Sequence, residues 1–281
     1  MVAWRVVITD FDTPGEDHER AVLAESGLDV ELERMALRSA DEVIEAAADA
    51  DGLLVQFTTI DARVLDALTR CRVISRYGIG LDMIDVEAAT ARGIPVANVP
   101  DFCIDEVSTQ TIGFLIDLDR HTLELARHVQ TGGWGTRPAP VAAPRRLSGQ
   151  MLGIVGLGRI GRAVATKASA LGLRVIGSDP YLESSSAPVP LVSLPALLRE
   201  SDYVSLHVPL VAETRGLIGS TELHAMKRSA YLINMARAAP PSTRPHWLTR
   251  CATARSPVPR STCWKRSRPR RTIRSSASRT C

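Results

Sequence analysis

The chain has 281 residues, 45% of them apolar, and a formal net charge of +3. That length leads us to expect two domains, each with enough apolar residues for its own core. No run approaches the roughly 18 uninterrupted apolar residues of a membrane span. Its five cysteines show neither disulfide nor zinc spacing, which argues against a disulfide scaffold or a structural metal and for a reducing cytoplasm.

The first apolar segment, Met1–Thr9, reads as a core strand and not as a signal peptide, since no apolar region precedes a small-residue cleavage site. From there the pattern alternates. Strands are expected at Trp4–Thr9, Val30–Glu33, Gly52–Gln56, Arg72–Arg76 and Pro95–Asn98, with helices between them at Asp17–Ser26, Ser39–Ala48, Asp61–Ala67 and Asp85–Arg92. This rhythm implies a parallel sheet covered on both faces. Glu106–Val129 reads as one long helix, and a Gly/Pro-rich loop follows at Thr131–Pro144. Beyond it lie strand Met151–Val155, helix Arg162–Leu171 and strand Leu173–Gly177. The last patterned elements are helix Leu194–Glu200, strand Tyr203–His207, a short helix near Ser220–Met226 and strand Ala230–Asn234.

Between strand and helix stands Gly156-Leu-Gly-Arg-Ile-Gly161, with Asp179 eighteen residues after Gly161 at the end of the next strand. A dinucleotide needs glycines at this spacing. Gly156 permits a tight turn, Gly158 lets backbone approach a pyrophosphate, and Gly161 lets helix pack close to strand. The N–H groups at the helix start then face the phosphates. Asp179 can accept from an adenosine ribose, and its charge would repel a 2′-phosphate, so NAD is favoured over NADP.

The net charge conceals a split. Residues 238–281 hold 11 Lys plus Arg and no acid, leaving 23 Lys plus Arg against 31 Asp plus Glu before them, a net of −8. Six of the seventeen prolines also fall there, with no helical or strand periodicity. Three readings compete: a basic surface for nucleic acid or anionic lipid, with Lys265–Arg271 as its densest part, a disordered extension, or translation in a shifted frame. The genetic code favours the third. When the third base of each codon is joined to the first two of the next, Cys263–Trp264 forces Leu and Trp264–Lys265 forces Glu. The surrounding junctions permit an amphipathic helix followed by a strand. The basic tail is therefore not read as function, and nucleic acid is disfavoured as a partner.

Five ordered strings carry a family resemblance: Ser75–Asp85, Gly93–Pro100, Gly156–Gly161, His207–Leu210 and Leu232–Arg237. They resemble the D-isomer-specific 2-hydroxyacid dehydrogenases, a family that includes phosphoglycerate dehydrogenase and the related C-terminal-binding proteins. The resemblance implies two Rossmann-like/flavodoxin-like doubly wound parallel-sheet α/β domains. Residues 1–99 would form the substrate domain, residues 100–237 an incomplete NAD-binding domain, and residues 238–281 the out-of-frame, disordered tail. It also implies a homodimer paired through the NAD domain. The implied reaction is hydride transfer between nicotinamide and a small 2-hydroxy/2-oxo acid. A non-catalytic NAD(H)-binding interaction protein, like the C-terminal-binding proteins, is the alternative.

Residue by residue, Arg237 matches the family's catalytic arginine, whose forked donors would grip carboxylate and carbonyl oxygen. Tyr77, Gly78, Ile79 and Gly80 would offer backbone N–H groups to the substrate carboxylate, where the plain reading is a turn after a buried strand. Arg159 and Ile160 lie inside the glycine turn. Pro180 and Tyr181 would flank the adenosine ribose, while Thr214, Asn234 and Ala236 resemble residues near the nicotinamide half. His207, Val208 and Pro209 would border the adenine side, so His207 is cofactor-lining or structural despite a pKa class suited to a general base. His121 and His128 are expected to be solvated on their helix. The family's histidine proton donor and its glutamate partner have no counterpart here, a loss that typically costs about 10²–10⁴ in rate. Smaller departures are Gln56-Phe57 in place of Arg-Ser, which disfavours a phosphorylated or doubly acidic substrate, Met83 in place of Asn, and Lys227-Arg-Ser in place of Lys-Pro-Gly.

Overall fold

The computed structural model describes residues 3–12, 14–135, 145–184 and 186–236. Two parallel sheets account for every strand among them. In the first, β1 (Trp4–Ile8), β2 (Val30–Arg34), β3 (Gly52–Val55), β4 (Val73–Arg76) and β5 (Val96–Ala97) line up in the order β2-β1-β3-β4-β5. The connecting helices are α1 (Asp17–Glu25), α2 (Ala40–Ala47), α3 (Ala62–Ala67) and α4 (Val86–Ala91). This is the flavodoxin-like order, which reverses direction between β1 and β3. Three of these four helices begin on side-chain caps. Ser39 accepts from Glu42 N–H, Asp61 from Val64 N–H and Asp85 from Ala88 N–H, which satisfies donors that a helix start leaves open. Val7, Leu53, Ile74, Val43 and Val64 pack into one buried core.

The second sheet contains β6 (Met151–Val155), β7 (Arg174–Ser178), β8 (Tyr203–Leu206) and β9 (Tyr231–Asn234) in the order β7-β6-β8-β9. A parallel bridge between Gly177 and Leu191 extends it beyond β7. Helices α5 (Ile104–Arg120) and α7 (Arg159–Ala170) belong to this unit, as do α6 (Thr122–Gln130), α8 (Leu194–Glu200) and α9 (Ser220–Ala225). On one face Leu152, Ile154, Tyr203 and Ile233 meet Leu115 and Val164; on the other Val155, Ile176, Val204 and Leu206 meet Leu197 and Leu198. The alternation along each strand makes both faces apolar, as a sheet buried on two sides requires. Under the first face, Tyr203 Oη and Gln150 Nε2 donate to the buried Asp119 carboxylate at 2.8 and 3.1 Å. Among the described residues no helix is long and apolar enough to cross a membrane.

Four local expectations change. The long helix expected over Glu106–Val129 is two helices broken at His121, whose φ of 56° and ψ of 40° are left-handed. The Asp117 carboxylate makes this break tolerable, because it accepts from Leu123 N–H at 2.9 Å and so caps the new helix. His121 is buried at that corner, not solvated. Finally, the helix after the glycine turn begins at Arg159, three residues earlier than apolar spacing indicated, and the expected strand Pro95–Asn98 shrinks to Val96–Ala97.

Candidate functional site

The register of the second sheet brings the scattered motifs to one edge. Val155 pairs with both Ser178 and Leu206, and Leu206 pairs with Asn234, so β6, β7, β8 and β9 end level. The residues that follow those ends are Gly156, Asp179, His207 and Met235. The strand order reverses between β6 and β8, and in open α/β sheets ligands lodge outside the carboxyl ends at such a switch point.

The three glycines differ in what constrains them. Gly156 has φ 88°, and a Cβ there would stand 2.8 Å from the His207 carbonyl oxygen. A Cβ on Gly161 would stand 2.1 Å from the Gly156 carbonyl oxygen, so helix and turn touch with nothing between them. Gly158 has ordinary backbone angles, and a Cβ on it would meet nothing within 4 Å. Its missing side chain thus leaves open room in front of the N-terminus of α7. There Arg159, Ile160 and Gly161 hold their N–H groups with no acceptor among the described residues. The first turn of α7 contains no acidic side chain. An uncovered helix N-terminus beside open space fits a pyrophosphate.

Asp179 is committed to the turn more closely than expected. It accepts from Leu157 N–H at 2.8 Å and from Tyr181 N–H at 3.0 Å. A carboxylate has about four lone-pair sites, so a ribose hydroxyl can still be received. Tyr181 stands almost fully exposed beside it. Arg159 extends from the first turn of α7 to the Pro100 carbonyl at 2.7 Å, tying the glycine turn to the segment after β5. Ile160 packs against the core.

His207 follows β8 with Nε2 at 2.8 Å from Ser205 Oγ. Burial lowers its pKa to about 4, so the ring is neutral at physiological pH and poorly suited to carry a proton there. Its Nδ1 is buried without a partner among the described residues. Val208 packs toward Gly156, and the Pro209 carbonyl accepts from Thr214 Oγ1, which in turn receives Val211 N–H at 3.0 Å. Thr214 thereby holds the turn after β8. Asn234 ends β9 and accepts from Ala236 N–H at 3.0 Å. Arg237 lies outside the described residues, as does the tail from 238 to 281.

At the first sheet, Tyr77–Gly80 follow β4 as the spacing indicated, but only part of the loop has N–H groups to give. Tyr77 N–H already donates to Val55 and Gly78 N–H to Arg76. Ile79 and Gly80 have no backbone acceptor among the described residues. Gly78 takes φ 138° and crosses directly over the buried Arg76 guanidinium, where a Cβ would stand 2.2 Å from Nη1. Asn98 Nδ2 fixes the loop by donating to the Ile79 carbonyl at 2.7 Å.

The sequence reading missed Asp10. At the carboxyl end of β1 its carboxylate takes Gln56 N–H at 3.0 Å and Phe57 N–H at 2.5 Å. It therefore sets the loop after β3. An acid directly after a first parallel strand is the signal that could have shown it.

Residues 112–241 match the family profile described as "D-isomer specific 2-hydroxyacid dehydrogenase, NAD binding domain". The chain is 34% identical over 238 residues to D-3-phosphoglycerate dehydrogenase of Methanocaldococcus jannaschii, covering 83% of this chain and 44% of that protein. It is 39% identical over 200 residues to glyoxylate reductase of Korarchaeum cryptofilum, covering 69% of this chain and 60% of that protein. It thus spans less than two thirds of the length of either enzyme. A solved protein from Thermus thermophilus is 37% identical, with a TM-score of 0.72 over 83% of this chain and 73% of its own. The level strand ends, the glycine turn and these similarities lead to one conclusion: the chain belongs to the D-isomer-specific 2-hydroxyacid dehydrogenase family.

Proposed function

We propose that this protein is an NAD-dependent oxidoreductase acting on the CH–OH group of a small D-2-hydroxy acid, with its turnover impaired by a frame change after Arg237. The observation that supports the cofactor half is the open room at Gly158 against the uncovered N-terminus of α7, with Asp179 at the neighbouring strand end. NAD, when bound, supplies the nicotinamide carbon that gives or takes the hydride. The chain's own part is positioning. The N–H groups of Arg159–Gly161 receive the pyrophosphate, Asp179 receives the ribose, and Pro180 and Tyr181 flank it. The turn Val208–Thr214 and the end of β9, with Asn234 and Ala236, border the remaining length. Arg237 grips the acid's carboxylate, with Ile79 and Gly80 N–H as the backbone donors left for it. The family resemblance further suggests a homodimer through the second unit and a cytoplasmic location.

The test compares two chains: this one, and one re-encoded so that the codons after Arg237 are read one base back. NADH uptake is followed by fluorescence and turnover by NADH oxidation with a panel of 2-oxo acids. NADH uptake by both, with turnover at least about 10²-fold faster in the re-encoded chain, is the expected result. Absence of NADH binding in both ends the cofactor reading. Equal and rapid turnover in both ends the impairment reading.

A further inference from the structure

The chain contains four phenylalanines. Phe114 is packed against the second unit's core, whereas Phe11, Phe57 and Phe102 are 39%, 57% and 52% exposed. These three lie at one place in the fold. Asp10, which precedes Phe11, accepts from Phe57 N–H, and the buried Arg76, which donates to the Gln56 carbonyl, lies directly against Gly78, so Phe11, Phe57 and Gly78 are gathered past the ends of β1, β3 and β4. Phe102 completes the row, since a Cβ on Gly78 would lie 3.5 Å from its ring. Phe102 also stands two residues after Pro100, whose carbonyl receives Arg159 from the glycine turn. The row thus runs from the switch point of the first sheet to the edge where the nucleotide is proposed to lie. Exposed aromatic rings gathered at a switch point mark a surface meant to be covered.

The polar groups there favour an apolar occupant. Asp10 and Asp12 are the charged residues flanking Phe11, and Asp10 is spent on the N–H groups of Gln56 and Phe57. Gln56 Nε2 points toward Asp12 Oδ2 at 3.5 Å. Two nearby guanidiniums are already engaged: Arg34 stacks over the Phe11 ring at 3.2 Å, and the buried Arg76 donates to the Gln56 carbonyl at 3.4 Å. A second anionic group on the substrate would face carboxylates and phenyl rings.

We infer that the acid taken by this site carries one carboxylate and an apolar, preferably aromatic, side chain, with Phe57 and Phe102 as the residues that select it. This rests on the dehydrogenase reading above and narrows its substrate class. The phenyl rings cover the side chain, while the backbone of Ile79–Gly80 faces the carboxylate. Asp10 acts as a positioning residue by fixing the backbone of Phe57.

The experiment uses the full chain and equilibrium binding, so that turnover plays no part. NAD⁺ has no hydride to give a 2-oxo acid, so mixtures of the two form dead-end complexes that calorimetry can titrate. NAD⁺ uptake is measured first. Phenylpyruvate, 4-methyl-2-oxopentanoate, glyoxylate and 2-oxoglutarate are then titrated with and without saturating NAD⁺. Phenylpyruvate should bind at least about tenfold more tightly than glyoxylate. Phe57→Ala and Phe102→Ala should each reduce that margin about threefold or more, and Phe57→Arg should shift preference toward 2-oxoglutarate. Equal affinities, a wild-type preference for 2-oxoglutarate, or a margin unchanged in both alanine variants would overturn the inference. Normal NAD⁺ uptake without the margin sinks this inference and leaves the dehydrogenase reading standing. No NAD⁺ uptake with the Phe-dependent margin intact does the reverse.

Discussion

Replacing Gly158 and Gly161 separately by alanine should divide the stability of the glycine turn from its use. At Gly161 the new methyl would stand 2.1 Å from the Gly156 carbonyl oxygen, and ordinary contact begins near 3.4 Å. The obstructing atom is backbone, held by the Gly156 N–H bond to the Ser178 carbonyl at 3.0 Å. Helix α7 must therefore move away from β6, opening the packing of Val164 and Ala168 on Ile154. Forced overpacking of this kind costs about 1–3 kcal/mol, or a melting shift on the order of 5 °C for a chain of this size. At Gly158 the methyl meets nothing and the backbone angles suit alanine. Alanine is the poorer N-cap, but it stiffens the unfolded chain by about 0.4–1 kcal/mol, and the two effects nearly cancel. The methyl would instead occupy the room assigned to the pyrophosphate. Gly158→Ala should thus melt within about 2 °C of wild type while losing at least about tenfold in NADH affinity, or about 1.4 kcal/mol. Gly161→Ala should lose both. Differential scanning calorimetry and NADH titration on the same preparations check this. A Gly158→Ala protein that binds NADH as wild type does would refute the reasoning.

Three further perturbations test other parts of the site. Asp179→Ala strands the N–H groups of Leu157 and Tyr181 and should cost about 1–3 kcal/mol; removal of its charge should also narrow the NADH-over-NADPH preference in paired titrations, and an unchanged ratio would speak against the ribose assignment. Asp10→Ala releases the N–H groups of Gln56 and Phe57 and should weaken phenylpyruvate binding while leaving NADH uptake untouched; equal losses in both would point to general unfolding. His207 has a folded pKa of about 4 against an ordinary 6.5. The unfolded chain therefore takes up the proton first, and stability is complete above about pH 6.5 and falls as pH drops toward about 4, by at most roughly 3 kcal/mol. Guanidinium midpoints across that range should show a flatter acid limb in His207→Gln, and identical slopes would refute the burial argument.

How legible the site was in the sequence depends on what kind of interaction each residue makes. Gly161, which meets the Gly156 carbonyl five residues back, was legible from the spacing of the glycine string, whereas the approach of Gly156 to the His207 carbonyl and the caps at Ser39, Asp61 and Asp85 emerge only in the structure. The break at His121 was hidden because the apolar pattern runs through it. Its cause is a carboxylate–N–H bond from Asp117 to Leu123, which leaves no mark on hydrophobic period. The start of α7 lies three residues ahead of the expected one because the helix begins inside the glycine string, where Ile160 already packs against the core. The sharing of the loop N–H groups could not be foreseen either, because Tyr77 N–H reaches Val55 only where β3 ends beside β4, and Gly78 N–H folds back on Arg76 in a local turn.

The aromatic row shows the same limit from the other side. Phe11, Phe57 and Phe102 are spread over 92 positions of sequence, and of the three only Phe57 is marked in the sequence, by Gln56-Phe57 standing in place of Arg-Ser. Only strand order makes them neighbours, because β1, β3, β4 and β5, after which these loops run, lie side by side in the sheet although β2 intervenes in the chain. Both sheets repeat the principle. Parallel pairing delivers every loop that follows a strand to one edge, and the reversal of order opens a crevice there. At the second sheet that crevice is lined by glycine and uncovered N–H groups, which suits phosphate. At the first it is lined by phenyl rings and spent carboxylates, which suits an apolar side chain. The contrast follows from which residues stand one to three places past each strand, so exchanging Phe57 alone should redirect the acid while leaving the nucleotide edge unchanged.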